Sequence, residues 1–251
     1  MSAVAVALIV FGATFGGALV GLALRGMLPE HHLSSETRDV VKITMGLVGT
    51  MAALVLGLLV ASAKSSYDAQ SAELTQMSAN VVLVDRAMAH YGPETKEVRS
   101  TLRETVARLA ERVQPSGADA AGSPGLPSDS SEVVLERLQA LTPHDDRQRE
   151  LKAQATGLLM SIGQTRWLMY QQGTASASRP LITAIVFWLT IIFISWGLYA
   201  RANTTVIVAL AVSAMAVSSA LFLIMEMYSP YQGLIRISAA PLRAALTVLG
   251  H

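Results

Sequence analysis

The chain has 251 residues, of which 52% are hydrophobic and only 15% are charged, with a formal net charge of +1 and a mean hydropathy of +0.44. This composition is not that of an ordinary water-soluble domain, and the near-neutral charge gives no signal for nucleic-acid binding. The absence of cysteine excludes disulfides, thiolate metal sites and thiol nucleophiles.

Four apolar segments approach the length of about 20 residues that a helix needs to cross a bilayer. The first segment lacks the basic start of a signal peptide and its apolar run is too long for one, so we expect it to be retained. An even number of spans predicts that both termini and the polar middle region lie on the same side of the membrane. The four segments are 1–24, 43–63, 180–200 and 202–225.

The predicted fold class is an all-α integral membrane protein with four transmembrane helices in two hairpins. A central water-soluble helical bundle is expected to be continuous with the second and third spans. Lys and Arg are almost evenly divided between the two sides, and we place the bundle and both termini in the cytoplasm. The predicted division is 1–63 for the first hairpin, 64–179 for the soluble bundle, 180–226 for the second hairpin and 227–251 for an amphipathic tail.

The first span carries two GxxxG pairs, and the turn after it carries two adjacent histidines. Small residues let helix backbones approach closely in lipid, so Gly12, Gly16, Gly17 and Gly21 predict packing against a neighbouring span. The histidine pair 31–32 has no third ligand at a recognisable spacing, which favours a solvated turn over a metal site.

The second span has a row of residues at a spacing of four, Thr50, Leu54 and Leu58, and a basic pair, Arg38 and Lys42, at its polar entrance. One interpretation is structural: the adjacent stripe of small residues, Gly49, Ala53, Gly57 and Ala61, is a helix contact face, and the basic pair is an anchor at the membrane surface. The functional interpretation is a hydrophobic constriction lined by the row, with the pair attracting anions at its mouth. Spacing alone leaves both open.

The segment 40–91 is predicted to be one helix, because no glycine or proline lies between Gly57 and Gly92. Its second half carries a heptad row that needs another helix to bury it. The members of this row are Leu74, Met77, Val81, Val84, Met88 and Tyr91.

The rest of the middle region is expected to be helical around a flexible loop at 115–131. One helix follows Gly92, a short one follows Ser131, and another begins at Pro143. The basic residues of the first of these helices favour a solvated face over a binding site. No catalytic constellation, phosphate loop or metal motif is present, so we predict neither an enzyme nor a bound cofactor. The tail is predicted to be a short amphipathic segment on the membrane surface or against the bundle.

Two regions of the sequence, the tail and the second span, resemble a known family. The tail strings SPYQGLIRIS and APLRAAL, together with VLGLLVASAKSSYDAQ in the second span, are similar to the bacterial bestrophin-like membrane proteins. That family is described as related to bestrophins, which are anion channels that assemble as pentamers around a central pore. The resemblance implies a homo-oligomer, a pentamer by analogy, in the bacterial inner membrane, with inorganic anions as the conducted species.

Bestrophins line a hydrophobic neck from a second-span segment similar to 54–58. By that likeness the neck positions fall on Thr50, Leu54 and Leu58. Leucine replaces the aromatic neck residues, and no acidic run follows the tail turn to clasp calcium, so calcium gating is not implied.

The first functional hypothesis is therefore an oligomeric channel, for anions, with a hydrophobic constriction on the second span. The alternative is a non-conducting membrane scaffold or regulatory protein whose helical bundle binds a cytoplasmic partner, and the heptad row motivates it.

Overall fold

The computed structural model describes residues 2–29, 34–114, 129–174, 179–231 and 233–250. Every regular element in these ranges is a helix. The α-helices are α1 (Ala3–Arg25), α2 (Ser35–Tyr91), α3 (Lys96–Val113), α4 (Asp129–Ala140), α5 (Asp146–Thr174), α6 (Arg179–Tyr199), α7 (Thr204–Met227) and α8 (Ala240–Val248), with a 3₁₀ turn at Pro93–Thr95.

The helix α2 is unbroken over 57 residues, which confirms the single helix predicted from the sequence. At 1.5 Å per residue it extends over roughly 85 Å. It begins at Ser35 and ends at Tyr91, and the next residue, Gly92, has a φ of 140°, which lies outside the range that other residues adopt readily. The backbone therefore leaves the helix at the first glycine after Gly57.

Among the described residues, four helices are long and apolar enough to cross a membrane by their length and composition: α1, α2, α6 and α7. The span boundaries differ from the predicted ones by a few residues, as at α7, which begins at Thr204 and not at 202. The reason is a side-chain cap, because Asn203 Oδ1 accepts a hydrogen bond from the Val206 N–H at 2.7 Å.

The described residues fall into two compact units. The first unit combines Met1–Ser65 with Ser176–Tyr228, and the second combines Ser66–Ala175 with Ser229–His251. Each unit has a hydrophobic core of its own.

In the first unit, α1 packs closely against α6 through glycines on both helices. A Cβ atom on Gly21 would overlap the carbonyl oxygen of Ile194, and one on Gly197 would overlap that of Ala18. Only one of the two GxxxG pairs makes this contact, because Gly12 and Gly16 have no atom within 4 Å of the position where a Cβ would stand.

In the second unit, the heptad row of α2 is buried in a core that α3, α4, α5 and α8 complete. No member of the row is more than 4% exposed. The row is thus covered by the protein's own helices.

The helix ends of the second unit correct two predicted starts. The helix α5 begins at Asp146, not at Pro143, and its N-terminal cap is Asp145, whose Oδ1 accepts from the Gln148 N–H at 2.7 Å. The amide of Gln148 in turn donates to the Tyr91 carbonyl at 3.0 Å, at the end of α2. The helix α4 begins at Asp129, ahead of the predicted start after Ser131.

The C-terminal segment packs into the core of the second unit. Ile237, Leu242 and Leu249 are at most 2% exposed and belong to the same cluster as Leu102 of α3. The tail was predicted to lie on the membrane surface or against the bundle, and its buried side chains pack against the helices of its own unit. Leu234, by contrast, is 81% exposed and lies outside this packing.

Candidate functional site

The predicted row on α2 lies on an open face of the helix. Leu54 is 67% exposed and Leu58 is 65% exposed, while Thr50 is exposed and donates its hydroxyl hydrogen bond to the Leu47 carbonyl at 2.8 Å. The hydroxyl of Thr50 is therefore satisfied within its own helix, and the row presents a mainly apolar surface.

Neighbouring apolar residues extend this surface along the helix. From Ile43 to Leu58 the exposed residues cover 15 helical steps, or roughly 22 Å. We call this surface the open face of α2; it consists of Ile43, Leu47, Thr50, Met51, Leu54 and Leu58.

Among the four candidate spans, α2 is the least covered by its own chain. In the 18-residue apolar stretch of α2, 11% of the residues are buried, whereas the corresponding stretches have 22% buried in α1, 22% in α6 and 28% in α7. The helix with the predicted row thus has the smallest share of buried residues among the four candidate spans.

The basic pair lies on a different side of α2. Arg38 and Lys42 line a groove of about 520 Å³ together with Gly49 of α2 and with side chains of α6 and α7. At 100° per residue, Arg38 and Lys42 are offset from Leu54 by roughly 160° and 120° around the helix axis. The structure therefore does not bring the pair and the row together on one face.

Both cations of the pair have partners at the groove. The Arg38 Nη2 donates to the Tyr199 carbonyl at 3.4 Å, at the C-terminal end of α6. The Lys42 Nζ lies 3.7 Å from Asp39 Oδ1, one turn away on an exposed surface. Such an exposed pair contributes little to stability and leaves most of the Lys42 charge available to solvent ions.

Sequence reasoning missed an ion pair in the second unit. The Arg99 Nε and Nη2 donate to the two carboxylate oxygens of Asp85 at 2.7 and 3.0 Å, and the Gly250 N–H donates to Asp85 Oδ2 at 3.3 Å. The hydrogen bond that Arg99 donates to Asp85 raises the pKa of Arg99 above its ordinary value, although burial opposes the rise. Since these groups come from separate helices, no local spacing could have indicated the contact.

The described residues contain no cluster of three or more His, Asp or Glu side chains that could hold a metal ion. The histidine pair 31–32 lies outside the described residues. The acidic residue Glu226 is buried in the last turn of α7 and takes part in an interaction of its own.

The helices define the class of the protein. An all-helical chain with four apolar helices of spanning length is a multi-pass membrane protein of the α-helical type.

The family follows from a comparison with known families. The Bestrophin-like domain matches residues 12–242, which is nearly the whole chain, so the protein belongs to the Bestrophin-like family. This match confirms the resemblance seen in the tail and second-span strings, and the family suggests a channel-like membrane protein. Neither a curated protein nor a solved structure matches the chain.

Proposed function

We propose that the protein is an oligomeric membrane channel that conducts anions. In this proposal Thr50, Leu54 and Leu58 from each copy line a hydrophobic constriction around a central axis. The observation that carries the proposal is the open face of α2, which exposes Leu54 by 67% and Leu58 by 65% on the least covered of the four apolar helices. Membership of the Bestrophin-like family supports a channel over other classes.

The chemistry of the row suits a gate. Rings of leucine offer water no hydrogen bond, so a narrow ring closes a pore by dewetting and opens when it widens. Because Thr50 satisfies its hydroxyl within α2, it adds no strong ion ligand to the row. Selectivity would then come from charges outside the constriction.

We assign that role to Arg38 and Lys42, as charges at the pore mouth. Their offset of roughly 120–160° from Leu54 means that they would not line the same ring. They would act by raising the local concentration of anions, an effect that falls with ionic strength.

The proposed topology places α1 and the first part of α2 in one hairpin, and α6 and α7 in another. The region 64–179 would form a helical bundle in water, continuous with the second and third spans, followed by the tail 227–251. The bundle and both termini would face the cytoplasm from a bacterial inner membrane. The partners would be the lipid bilayer, inorganic anions and further copies of the chain, with five copies by analogy to bestrophins, and neither nucleic acid nor an enzyme substrate.

The test is chloride flux through protein reconstituted in liposomes and planar bilayers. Leu54→Ala should raise the conductance several-fold, because a smaller side chain widens and wets the constriction. The matched control is Leu8→Ala on α1, since Leu8 is also 67% exposed and is not part of the proposed pore. Lys42→Gln should lower the preference for anions over cations, and more so at low salt.

Two results would overturn the proposal. One is absence of current, over a range of salts, from protein shown to be folded and oligomeric. The other is a mass in detergent that corresponds to a monomer, which has no central axis for a pore. Either result would favour the non-conducting scaffold, which would then need a binding surface other than the buried heptad row.

A further inference from the structure

A cleft in the second unit gathers positive charge at the start of α3. It has a volume of about 390 Å³ and lies where the 3₁₀ turn at Pro93–Thr95 meets α3 and the backbone of Gly250. We call it the basic cleft; its charged and polar lining comprises Lys96, Arg99, Ser100 and Arg103.

The three cations of the basic cleft share one face of α3. Their positions follow the spacing i, i+3 and i+7, which confines them to roughly 60° of the helix circumference. Like charges at such spacings repel one another and disfavour the helix. A helix that carries them on one face needs negative charge nearby.

Only one of the three cations obtains a carboxylate partner. Arg99 is bound by Asp85 through two hydrogen bonds of 2.7 and 3.0 Å. Arg103 donates to the Leu249 carbonyl at 3.2 Å, which is a neutral acceptor. Within the described ranges neither Arg103 nor Lys96 forms an ion pair, so two of the three cations of the basic cleft have no carboxylate partner.

The backbone at this position adds to the positive potential. The N-terminus of α3 points into the same region, and no side chain caps it, because the Thr95 hydroxyl donates to the Met88 carbonyl at 2.7 Å. The N–H groups of Thr95 and Lys96 donate to the carbonyls of Gly92 and Pro93 in the 3₁₀ turn, so the helix start attracts anions through its dipole. One opposing charge, Glu94, lies outside the lining and beside Gly92.

We propose that the basic cleft binds a phosphate dianion, either free or as the terminal group of a small phosphate monoester. Lys96 and Arg103 bind the phosphate oxygens, and Arg99, held by Asp85, supplies a fixed charge behind them. Arginine and lysine donors, an uncapped helix start and two cations without a carboxylate partner match the two charges and several acceptor oxygens of this group. The site is separate from the residues proposed for conduction, so it goes beyond the channel function.

The experiment is a calorimetric titration of the full-length protein in detergent with inorganic phosphate and, separately, with phenyl phosphate at constant ionic strength. The double variant Lys96→Gln/Arg103→Gln should weaken binding of both by about tenfold or more, because two charge-assisted contacts are lost. The matched control is Arg108→Gln, which removes an exposed arginine from another face of α3 and should leave the affinity within about twofold. Glu94→Gln should tighten binding, since it removes the opposing charge.

A thermal unfolding measurement separates binding from folding. Without phosphate, the double variant should unfold within a few degrees of the wild type, because the relief of repulsion along α3 offsets the lost hydrogen bond from Arg103 to the Leu249 carbonyl. Tighter binding of phenyl phosphate than of phosphate would identify a monoester as the ligand, and equal binding would identify free phosphate.

The proposal is overturned if the wild type binds neither compound at millimolar concentration, or if the double variant binds as tightly as the wild type. Because the titration does not depend on ion flux, its failure would leave the channel proposal standing, and a silent channel would leave this proposal standing.

Discussion

The glycine contact between α1 and α6 predicts that alanine substitutions at different glycines of α1 lower the stability by different amounts. A Cβ atom on Gly21 would overlap the Ile194 carbonyl oxygen and lie 2.9 Å from the Leu198 backbone nitrogen. On the facing helix, a Cβ atom on Gly197 would lie 2.9 Å from the backbone nitrogen of Leu22. Since the obstructing atoms are backbone, no side-chain rotation can relieve the overlap.

The substitution Gly21→Ala therefore has to push the two helices apart by roughly 1 Å along their contact. Overpacking of this kind costs typically 1–3 kcal/mol, and we expect about 3 kcal/mol here because the whole interface must separate. For a protein of this size, that corresponds to a fall in Tm of about 6–12 °C.

The other glycines of α1 serve as internal controls. Gly12 has no atom within 4 Å of its would-be Cβ, so Gly12→Ala should cost nothing and can gain up to about 1 kcal/mol from the higher helix propensity of alanine. Gly17 is intermediate, because its would-be Cβ lies 3.2 Å from side-chain atoms of Ile194 and Thr190 and 3.3 Å from the Thr190 carbonyl oxygen, and these distances need a shift of only a few tenths of an ångström. We expect Gly17→Ala to cost about 1 kcal/mol.

Thermal unfolding in detergent, followed by tryptophan fluorescence, measures all three variants under the same conditions. Trp196 on α6 lies next to Gly197 in sequence and reports on the separation of the helices. Equal losses for Gly12→Ala and Gly21→Ala, or no loss for either, would refute the assigned contact between α1 and α6.

Three further variants test the second unit by thermal unfolding. Asp85→Asn should cost about 2–3 kcal/mol, because it leaves the half-buried guanidinium of Arg99 without its carboxylate, and an unchanged Tm would contradict the ion pair. Tyr231→Phe should stabilise the folded protein by about 1 kcal/mol at pH 8, since the Tyr231 hydroxyl is buried without a hydrogen-bond partner in the described chain. The control is Tyr67→Phe, which should destabilise the protein slightly, because the Tyr67 hydroxyl donates to the Arg236 carbonyl at 3.3 Å. Burial raises the pKa of Tyr231 above its ordinary value of 10.0, so near pH 10 this tyrosine ionises only in the unfolded chain, and the stability of the folded protein falls as the pH rises further. Tyr231→Phe should therefore lose less stability than the wild type between about pH 9 and pH 11. Parallel losses in the two proteins would argue against the burial of Tyr231.

Much of the fold could be predicted from local patterns. The single helix predicted over 40–91 depended on an apolar first half and on the absence of glycine and proline between Gly57 and Gly92, and such patterns suffice because the backbone bonds of a helix are all local. The structure extends this helix back to Ser35. The buried row from Leu74 to Tyr91 follows from its heptad spacing, since an apolar stripe in water must be covered. Both inferences can be made without identifying the helices that cover the stripe.

The candidate site was only partly predictable. The spacing of Thr50, Leu54 and Leu58 identified the row, but it could not predict that the row is exposed. In an apolar span, each side chain can face either lipid or another helix, so hydrophobicity does not show which side is covered. The placement of Arg38 beside the Tyr199 carbonyl depends on which helices pack together, and no spacing within α2 reports that.

By itself, the sequence determined the helical class, the four apolar segments, the continuity of α2 and the family, since each depends on composition, short-range period or local strings. Only the tertiary structure decided which GxxxG pair makes a helix contact, which side of α2 stays open and where Asp85 meets Arg99. The physical reason is that these contacts join residues as far apart as Gly21 and Ile194, and close packing between helices depends on the shapes of both surfaces together.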